Sequence, residues 1–165
     1  MDLARRPDPA WLNDYAVGLI RAGRPAEALP VLERARERDP DNPRFAENHA
    51  QLLLLRPDTR DRGVEELRGL VARHPAESSA WILLVEAELA AGRAVEAEAL
   101  LRRARTAGLG RNPGAYLQAR LLETRGRRAE AAAAYGALLA RDDLDASLQG
   151  RIQAARRRLQ APEPR

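Results

Sequence analysis

Two histidines, His49 and His74, are the side chains of this sequence best suited to acid–base catalysis, because imidazole titrates near neutral pH. His49 falls on the core-facing side of a predicted helix and His74 precedes a proline in a turn, so we expect neither to act as a base. The sequence has no cysteine, which excludes disulfides, thiolate metal sites and a cysteine nucleophile. It also has no serine–histidine–aspartate set, no metal-ligand spacing and no glycine-rich phosphate loop. The sequence therefore predicts a protein that is not an enzyme and holds neither a metal nor a cofactor.

Arginine supplies all 28 basic side chains, against 24 Asp+Glu, for a formal net charge of +4. Two arginine clusters, at 102–111 and 125–128, could meet the phosphates of RNA. Glutamates are interleaved with these arginines, and aromatic residues suited to base stacking make up only 4% of the chain. Ion-paired helix faces are therefore the preferred interpretation, and an Arg-rich helical-repeat RNA-binding protein is the alternative. Glu65 and Glu66 are likewise expected on a solvated helix face.

The elements that position these side chains follow from an internal repeat. Three segments share the pattern G-R-x-x-E-A and begin at Gly23, Gly92 and Gly126. The last two begin 34 residues apart and the first two 69 residues apart, which indicates a hidden copy inside the longer interval. That copy lies at 56–63, where a proline takes the glycine position and one residue is inserted.

Each unit is predicted to form two helices joined by a tight turn. Apolar residues recur every three or four positions on both sides of the turn, which is typical of amphipathic helices. The last helix is expected to cover the final hairpin, because the end of a repeat array needs a cap with a polar outer face. The predicted organisation is an N-terminal extension at 1–8, four hairpins at 9–42, 43–77, 78–111 and 112–145, a capping helix at 146–160 and a frayed tail at 161–165.

Glycine, proline and capping residues mark the ends of these helices. Gly23 is expected in the left-handed conformation that terminates a helix. Asp8, Asn42 and Asn112 each precede a proline, which predicts a side-chain cap followed by proline at the first helical position. Pro30 lies inside the second helix of the first hairpin and is expected to kink it.

The units resemble the tetratricopeptide repeat over about residues 9–145. The resemblance is carried by the period and by small residues where the two helices of a unit cross closely. Position 8 of the units holds Ala16, Ala50, Val85 and Ala119, and position 20 holds Ala28, Gly63, Ala97 and Ala131. A bulky residue follows at position 24, as Leu32, Leu67, Leu101 and Tyr135. The sequence departs from the family at position 11 of the third unit, which is Glu88, and lacks the usual proline near the end of the last two units. The resemblance implies an all-α fold, a right-handed superhelical α-solenoid of helix-turn-helix hairpins.

This family forms a concave wall from the first helix of every unit and uses it to hold peptides or helices of partner proteins. The resemblance therefore implies a non-catalytic scaffold or adaptor with a protein or peptide partner. At the corresponding positions of this sequence, the side chains can form hydrogen bonds with a peptide backbone, pair with carboxylates or pack against apolar side chains of a partner. We call these side chains the predicted wall: Asn13, Val17, Ile20, Arg21, Arg44, Asn48, Gln51, Ser79, Ile82, Glu86, Tyr116, Arg120 and Glu123. Leu54, Leu83 and Leu117 lie at related positions of the same helices.

Three further expectations concern location and assembly. The N-terminal residues lack the apolar core of a signal peptide, and the longest apolar run, at 80–85, is too short to span a bilayer. We therefore expect a cytoplasmic protein without membrane insertion. The first hairpin has little sequence before it to cover its outer face, so we expect a monomer or a weak homo-oligomer.

Overall fold

A computed structural model describes residues 7–160 of the chain, and every structural statement below concerns that range. The predicted tail at 161–165 and residues 1–6 of the predicted extension lie outside it. Residues 7–160 form nine α-helices and no strand: α1 (Pro9–Arg21), α2 (Pro25–Arg38), α3 (Pro43–Leu54), α4 (Arg60–Arg73), α5 (Ser78–Ala90), α6 (Ala94–Thr106), α7 (Arg111–Thr124), α8 (Arg128–Leu139) and α9 (Ala146–Gln160). The predicted all-α fold class is confirmed. None of these helices has the length and apolar character needed to cross a membrane.

The chain divides into two compact units, Met1–Ala80 and Trp81–Arg165, and each is described by itself. In the first unit, α1 packs against α2 and α3, and α3 packs against α2 and α4. In the second unit, α7 packs against α6 and α8, while α9 packs against α7 and α8. Within each unit, these contacts mostly join helices that follow each other in sequence, as expected for helical hairpins.

Three of the tight turns share one glycine geometry. Gly23, Gly92 and Gly126 have φ values of 74°, 74° and 76°, in the left-handed region where glycine is favoured. The residue after each glycine donates its backbone N–H to the carbonyl five residues earlier, at 2.9 Å in all three turns. This bond is the Schellman termination of a helix. The predicted left-handed terminator at Gly23 is confirmed.

The turn between α3 and α4 contains no glycine, unlike the three turns described above. Five residues connect α3 to α4, whereas three connect the helices on either side of Gly23, Gly92 and Gly126. The hydroxyl of Thr59 donates to the backbone carbonyl of Leu53 at 2.8 Å, which satisfies an acceptor at the end of α3. This turn explains why the second copy of the sequence pattern is hard to see.

Gly63 lets α4 approach α3 closely. A Cβ atom added at Gly63 would lie 3.0 Å from the carbonyl oxygen of Ala50 and 3.1 Å from the Cβ of Leu53. These distances are shorter than ordinary van der Waals contacts. A glycine at this small-residue position of the repeat is therefore required by the crossing of the two helices.

Two predicted caps are present at the starts of α1 and α3. The side chain of Asp8 accepts a hydrogen bond from the backbone N–H of Ala10 at 2.8 Å. The side chain of Asn42 accepts from the backbone N–H of Arg44 at 3.2 Å. Both caps are followed by proline at the first helical position, as predicted. Helix α2 runs through Pro30 without interruption, and a bend at that residue stays a prediction.

The predicted cap at Asn112 is wrong. Helix α7 already begins at Arg111, and Gly110 holds the capping position without a side-chain bond. The amide of Asn112 donates to the backbone carbonyl of Asp143 at 3.1 Å and accepts from Arg141 at 2.5 Å. Asn112 therefore fixes the turn that follows α8, and its side chain is not available to cap its own helix.

The small and large positions of the repeat build the cores of both units. In the first unit, one buried cluster contains Ala16, Leu19, Ala28, Leu32 and Leu52, and a second contains Leu12, Ala35 and Phe45. In the second unit, the fully buried side chains include Leu101, Tyr116, Leu117, Leu121 and Tyr135. Helix α9 buries Leu148, Ile152 and Ala155. Helix α9 thus contributes an apolar face of its own to the core of the second unit.

Candidate partner-binding surface

A hydrogen bond between two asparagines joins α1 to α3 in the first unit. The amide nitrogen Nδ2 of Asn48 donates to Oδ1 of Asn13 at 2.8 Å. Asn13 is only 1% exposed, so its amide is committed to this contact and is not presented to a partner. Asn48 is half-buried. The structure therefore brings these two residues of the predicted wall together.

A row of polar side chains follows one face of α3. Arg44, Asn48 and Gln51 are four and three residues apart, so they lie on the same side of the helix. Arg44 and Gln51 are exposed. The three side chains supply a guanidinium group and two amides, which can donate to carboxylates and peptide carbonyl groups. This row is the most open part of the predicted wall in the first unit.

The remaining wall residues of the first unit differ in exposure. Val17 and Ile20 are half-buried, and Ile20 packs against the core cluster of α1 and α2. Arg21 is exposed. Ser79 is half-buried, and its hydroxyl Oγ donates to Oε2 of Glu47 at 2.5 Å. Ile20 thus serves mainly the packing of the unit.

Glu86 is the centre of a polar contact in the second unit. Its carboxylate accepts hydrogen bonds from the phenol of Tyr116 and from Nη1 of Arg151, the latter at 2.5 Å. Tyr116 is only 2% exposed. Arg151 lies in α9, so the terminal helix meets the predicted wall at α5. Ile82, another wall residue on α5, is buried.

Glu123 is the centre of a second polar contact on α7. Its Oε2 atom accepts from Nη1 of Arg120 at 2.8 Å and from the phenol of Tyr135 at 2.8 Å. Its Oε1 atom lies 3.5 Å from Nε of Arg158 in α9. Nε of Arg120 is buried and has no hydrogen-bond partner within residues 7–160. The wall residues of α7 are thus tied to α8 and α9.

These contacts move the pKa values of the groups involved. Burial alone would raise the pKa of the Glu123 carboxyl, but the charge of Arg120 and the hydrogen bonds from Tyr135 and Arg120 lower it below its ordinary value. Burial, and then the neighbouring carboxylate, raises the pKa of the Tyr135 phenol. The same two causes raise the pKa of the Tyr116 phenol beside Glu86. Both phenols therefore remain hydrogen-bond donors in the folded unit.

Comparison with known protein families shows which family the repeats belong to. Two family models, each described as a tetratricopeptide repeat, match residues 8–52 and 60–114. The chain belongs to the tetratricopeptide repeat family. The predicted resemblance is thereby confirmed. Among curated proteins, none matches this tetratricopeptide repeat sequence significantly.

Solved structures of other proteins share the fold, and two of them are described as tetratricopeptide repeat proteins. A thermophilic TPR protein of Thermus thermophilus superposes with a TM-score of 0.73 at 23% identity, over 92% of this chain and 80% of that chain. A tetratricopeptide repeat protein of Parabacteroides merdae gives 0.68 at 18% identity, over 96% of this chain and 64% of that one. MamA of Desulfovibrio magneticus gives 0.61 at 13% identity, over 92% and 89%. At these identities the likeness concerns the fold alone.

Sequence reasoning missed the contacts that α9 makes with residues of the predicted wall. Arg151 and Arg158 of this helix reach Glu86 and Glu123. Arg151 and Glu86 lie 65 residues apart in sequence. No local spacing signals such a pair, because the contact depends on where α9 docks against α7 and α8.

His49 lies in a buried ionic cluster of the first unit. It is 3% exposed, and its Nδ1 atom lies 2.6 Å from Oε2 of Glu66. Arg36 forms an ion pair with the same carboxylate. The expectation that Glu66 lies on a solvated face is wrong, because its side chain is only 18% exposed and bridges α2 to α3 through these two partners. Glu65 is exposed as predicted.

The arginines of the two clusters mostly bind within the protein. Glu98 pairs with both Arg102 and Arg125, and Glu130 pairs with Arg127 at 2.5 Å. The guanidinium group of Arg103 lies 5.9 Å from the centre of the Trp81 ring, in a cation–π contact. The interleaved glutamates thus pair with arginines of both clusters, as predicted.

Proposed function

We propose that this tetratricopeptide repeat protein is a non-catalytic scaffold that holds an extended or helical segment of a protein partner on the predicted wall. The observation that carries the proposal is the polar row of Arg44, Asn48 and Gln51 on α3, in which Arg44 and Gln51 are exposed. A peptide backbone offers unpaired carbonyl groups, and amide and guanidinium donors at regular spacing can satisfy them.

The second unit supports the same role in a different way. Glu86, Arg120 and Glu123 are held in fixed positions by Tyr116, Tyr135 and the arginines of α9. Fixed polar side chains lose little conformational entropy when a partner binds, which favours affinity. Their carboxylates and guanidinium groups would select a partner by charge, because mismatched charges are costly to bring together.

The buried ionic cluster of His49 argues against a catalytic role. Nδ1 faces Glu66, while Nε2 is buried, has no hydrogen-bond partner within residues 7–160 and lies 3.9 Å from Oε1 of Glu33. A general base must come within hydrogen-bond reach of the proton that it removes, and a buried Nε2 offers no such approach. The cluster therefore serves packing between α2, α3 and α4.

RNA binding receives less support than protein binding. Backbone recognition of RNA needs uncompensated positive charge, and several arginines of the two clusters are paired with glutamates. The largest aromatic side chain in the second unit, Trp81, is buried at 3% exposure. Its ring is therefore not exposed for stacking on a base.

The test is a quantitative capture of partners from cell extract with the immobilised full chain. We expect Arg44→Ala, Gln51→Ala and Arg120→Ala each to reduce recovery of at least one protein by about tenfold, the size expected for a residue central to an interface. Arg34→Ala and Arg62→Ala are matched controls, because both arginines are exposed on second helices.

Equal recovery with all five variants would move the interface away from the predicted wall. Loss of the captured proteins after ribonuclease treatment would favour the RNA-binding alternative. Both outcomes contradict the proposal. Circular dichroism spectra of the variants exclude unfolding as the cause of any loss.

A further inference from the structure

The outward face of α1 carries an exposed aromatic pair. Trp11 and Tyr15 are 47% and 48% exposed, and their rings stack with centroids 5.3 Å apart and planes 7° apart. They are two of four large apolar side chains with high exposure in residues 7–160. Two adjacent exposed aromatic rings on one helix mark a contact surface more strongly than scattered apolar residues do.

The aromatic pair belongs to a longer stripe. Trp11, Tyr15, Gly18 and Ala22 follow one another at intervals of four, three and four residues, so they share one side of α1. All four are exposed. A Cβ atom added at Gly18 would meet no atom within 4 Å. The stripe thus has two large side chains at its N-terminal end and a shallow depression towards its C-terminal end. This shape is complementary to the same stripe of a second copy whose α1 runs antiparallel.

The charges beside the stripe favour the same arrangement. Asp14 and Arg21 are both exposed, and they lie seven residues apart on one flank of the stripe. Asp14 accepts a long hydrogen bond from the amide of Asn13, at 3.4 Å. When two identical helices pack antiparallel about a two-fold axis, each side of one helix lies next to the same side of the other helix. Asp14 of one copy then faces Arg21 of the other, and the pair occurs twice.

A parallel arrangement does not give this match. It would place Asp14 and Arg21 opposite the other flank of the stripe, which carries Leu12 and Leu19. These leucines are 2% and 5% exposed, because they pack in the core of their own unit. They are not available to a second copy.

We propose that the outward face of α1 binds a second copy of this chain in an antiparallel two-fold contact. Tyr15 of each copy packs opposite the stretch between Gly18 and Ala22 of the other, and two reciprocal ion pairs join Asp14 to Arg21. The two-fold axis passes beside Gly18. The absence of a side chain there lets the two helices approach closely.

The contact is small, and the dimer is therefore weak. Three turns of helix bury less surface than the roughly 800 Å² per partner of a standard stable interface. Exposed ion pairs add little affinity but fix orientation. Dimerisation is expected at high protein concentration and is weakened by salt. The proposal does not depend on what the predicted wall binds.

Analytical ultracentrifugation of the full chain over a range of concentrations tests the proposal. We expect a monomer–dimer equilibrium in which Asp14→Arg or Arg21→Asp alone weakens dimerisation by about tenfold, because each places like charges opposite each other twice. The double variant, Asp14→Arg with Arg21→Asp, restores the wild-type dissociation constant. Trp11→Ala and Tyr15→Ala weaken dimerisation without affecting the charge pattern.

The matched controls are Asp61→Arg and Arg62→Asp, which reverse exposed charges on α4 and should leave the dissociation constant unchanged. Since the chain has no cysteine, Gly18→Cys provides an independent check, and oxidation should link two copies through this residue. A wild-type chain that stays monomeric at every concentration overturns the proposal. Failure of the double variant to restore dimerisation also overturns it, because the interface then lies elsewhere or has another register.

Discussion

Arg151 in the terminal helix α9 donates a hydrogen bond from Nη1 to Oε2 of Glu86 in α5, at 2.5 Å. The same carboxylate accepts from the phenol of Tyr116. One half-buried acid therefore connects α5, α7 and α9. Helix α9 is a terminal helix of the second unit, but through this contact it also fixes the position of a residue on the predicted wall.

Arg151→Ala is expected to lower the free energy of unfolding by about 1 kcal/mol. Charge-assisted hydrogen bonds contribute more than this when buried, but partial exposure of both side chains reduces the value. Urea denaturation measures the change. Arg157→Ala is the matched control on the same helix, because Arg157 is exposed, and its effect should stay within about 0.5 kcal/mol. Equal effects of the two variants would contradict the structural role of Arg151.

Glu123 should make stability depend on pH in the acid range. Its pKa in the folded unit lies below the ordinary value of 4.5, so the unfolded chain takes up a proton more readily. The stabilising contribution is therefore complete above pH 4.5 and is lost as the pH falls through the lower native pKa. We expect Glu123→Gln to be destabilising at pH 7 and the difference from wild type to shrink below pH 4.5. A difference that stays constant from pH 7 to pH 3 would contradict this.

Two glycine-to-alanine changes should have opposite signs. Gly63→Ala places a methyl group 3.0 Å from the carbonyl oxygen of Ala50 and should destabilise the protein by about 1–3 kcal/mol through overpacking. Gly136 lies inside α8, and a methyl group added there would have no atom within 4 Å. Gly136→Ala should stabilise the protein by about 0.5–1 kcal/mol, because alanine favours helix. Thermal unfolding of the two variants checks both signs, and stabilisation by Gly63→Ala would refute the close crossing.

His49→Ala should destabilise the first unit by about 1–3 kcal/mol, because it leaves the half-buried carboxylate of Glu66 without one of its partners. Denaturation at pH 7 measures this change. His74→Ala is the control. Because His74 lies in the turn after α4, its replacement should change the free energy of unfolding by less than about 0.5 kcal/mol. Similar losses at both histidines would show that the ionic cluster contributes nothing specific.

Local features of the fold were readable from the sequence, while contacts between distant residues were not. Gly23 terminates its helix because the left-handed conformation depends on the residue itself. Asn112 looked like a cap for the same local reason, but Arg141 and Asp143, about thirty residues away, take its amide.

Glu66 shows the same limit for charged side chains. Its neighbours in sequence suggest a solvated face, whereas Arg36 and His49 bring it into a half-buried cluster. The partners of such a carboxylate are decided by the packing of helices from different hairpins. Helical periodicity predicts which face of each helix is apolar, but not which polar groups meet across the contact.

Photo-crosslinking tests the central proposal, a partner-binding predicted wall, most directly. A photoreactive amino acid is placed at Gln51 on the exposed row of α3, and in a second protein at Arg34 on the exposed side of α2. We expect a protein partner to be crosslinked from position 51 and not from position 34. Crosslinking of the same partner from position 34 alone, or equally from both positions, would contradict the assignment of the binding surface to the predicted wall.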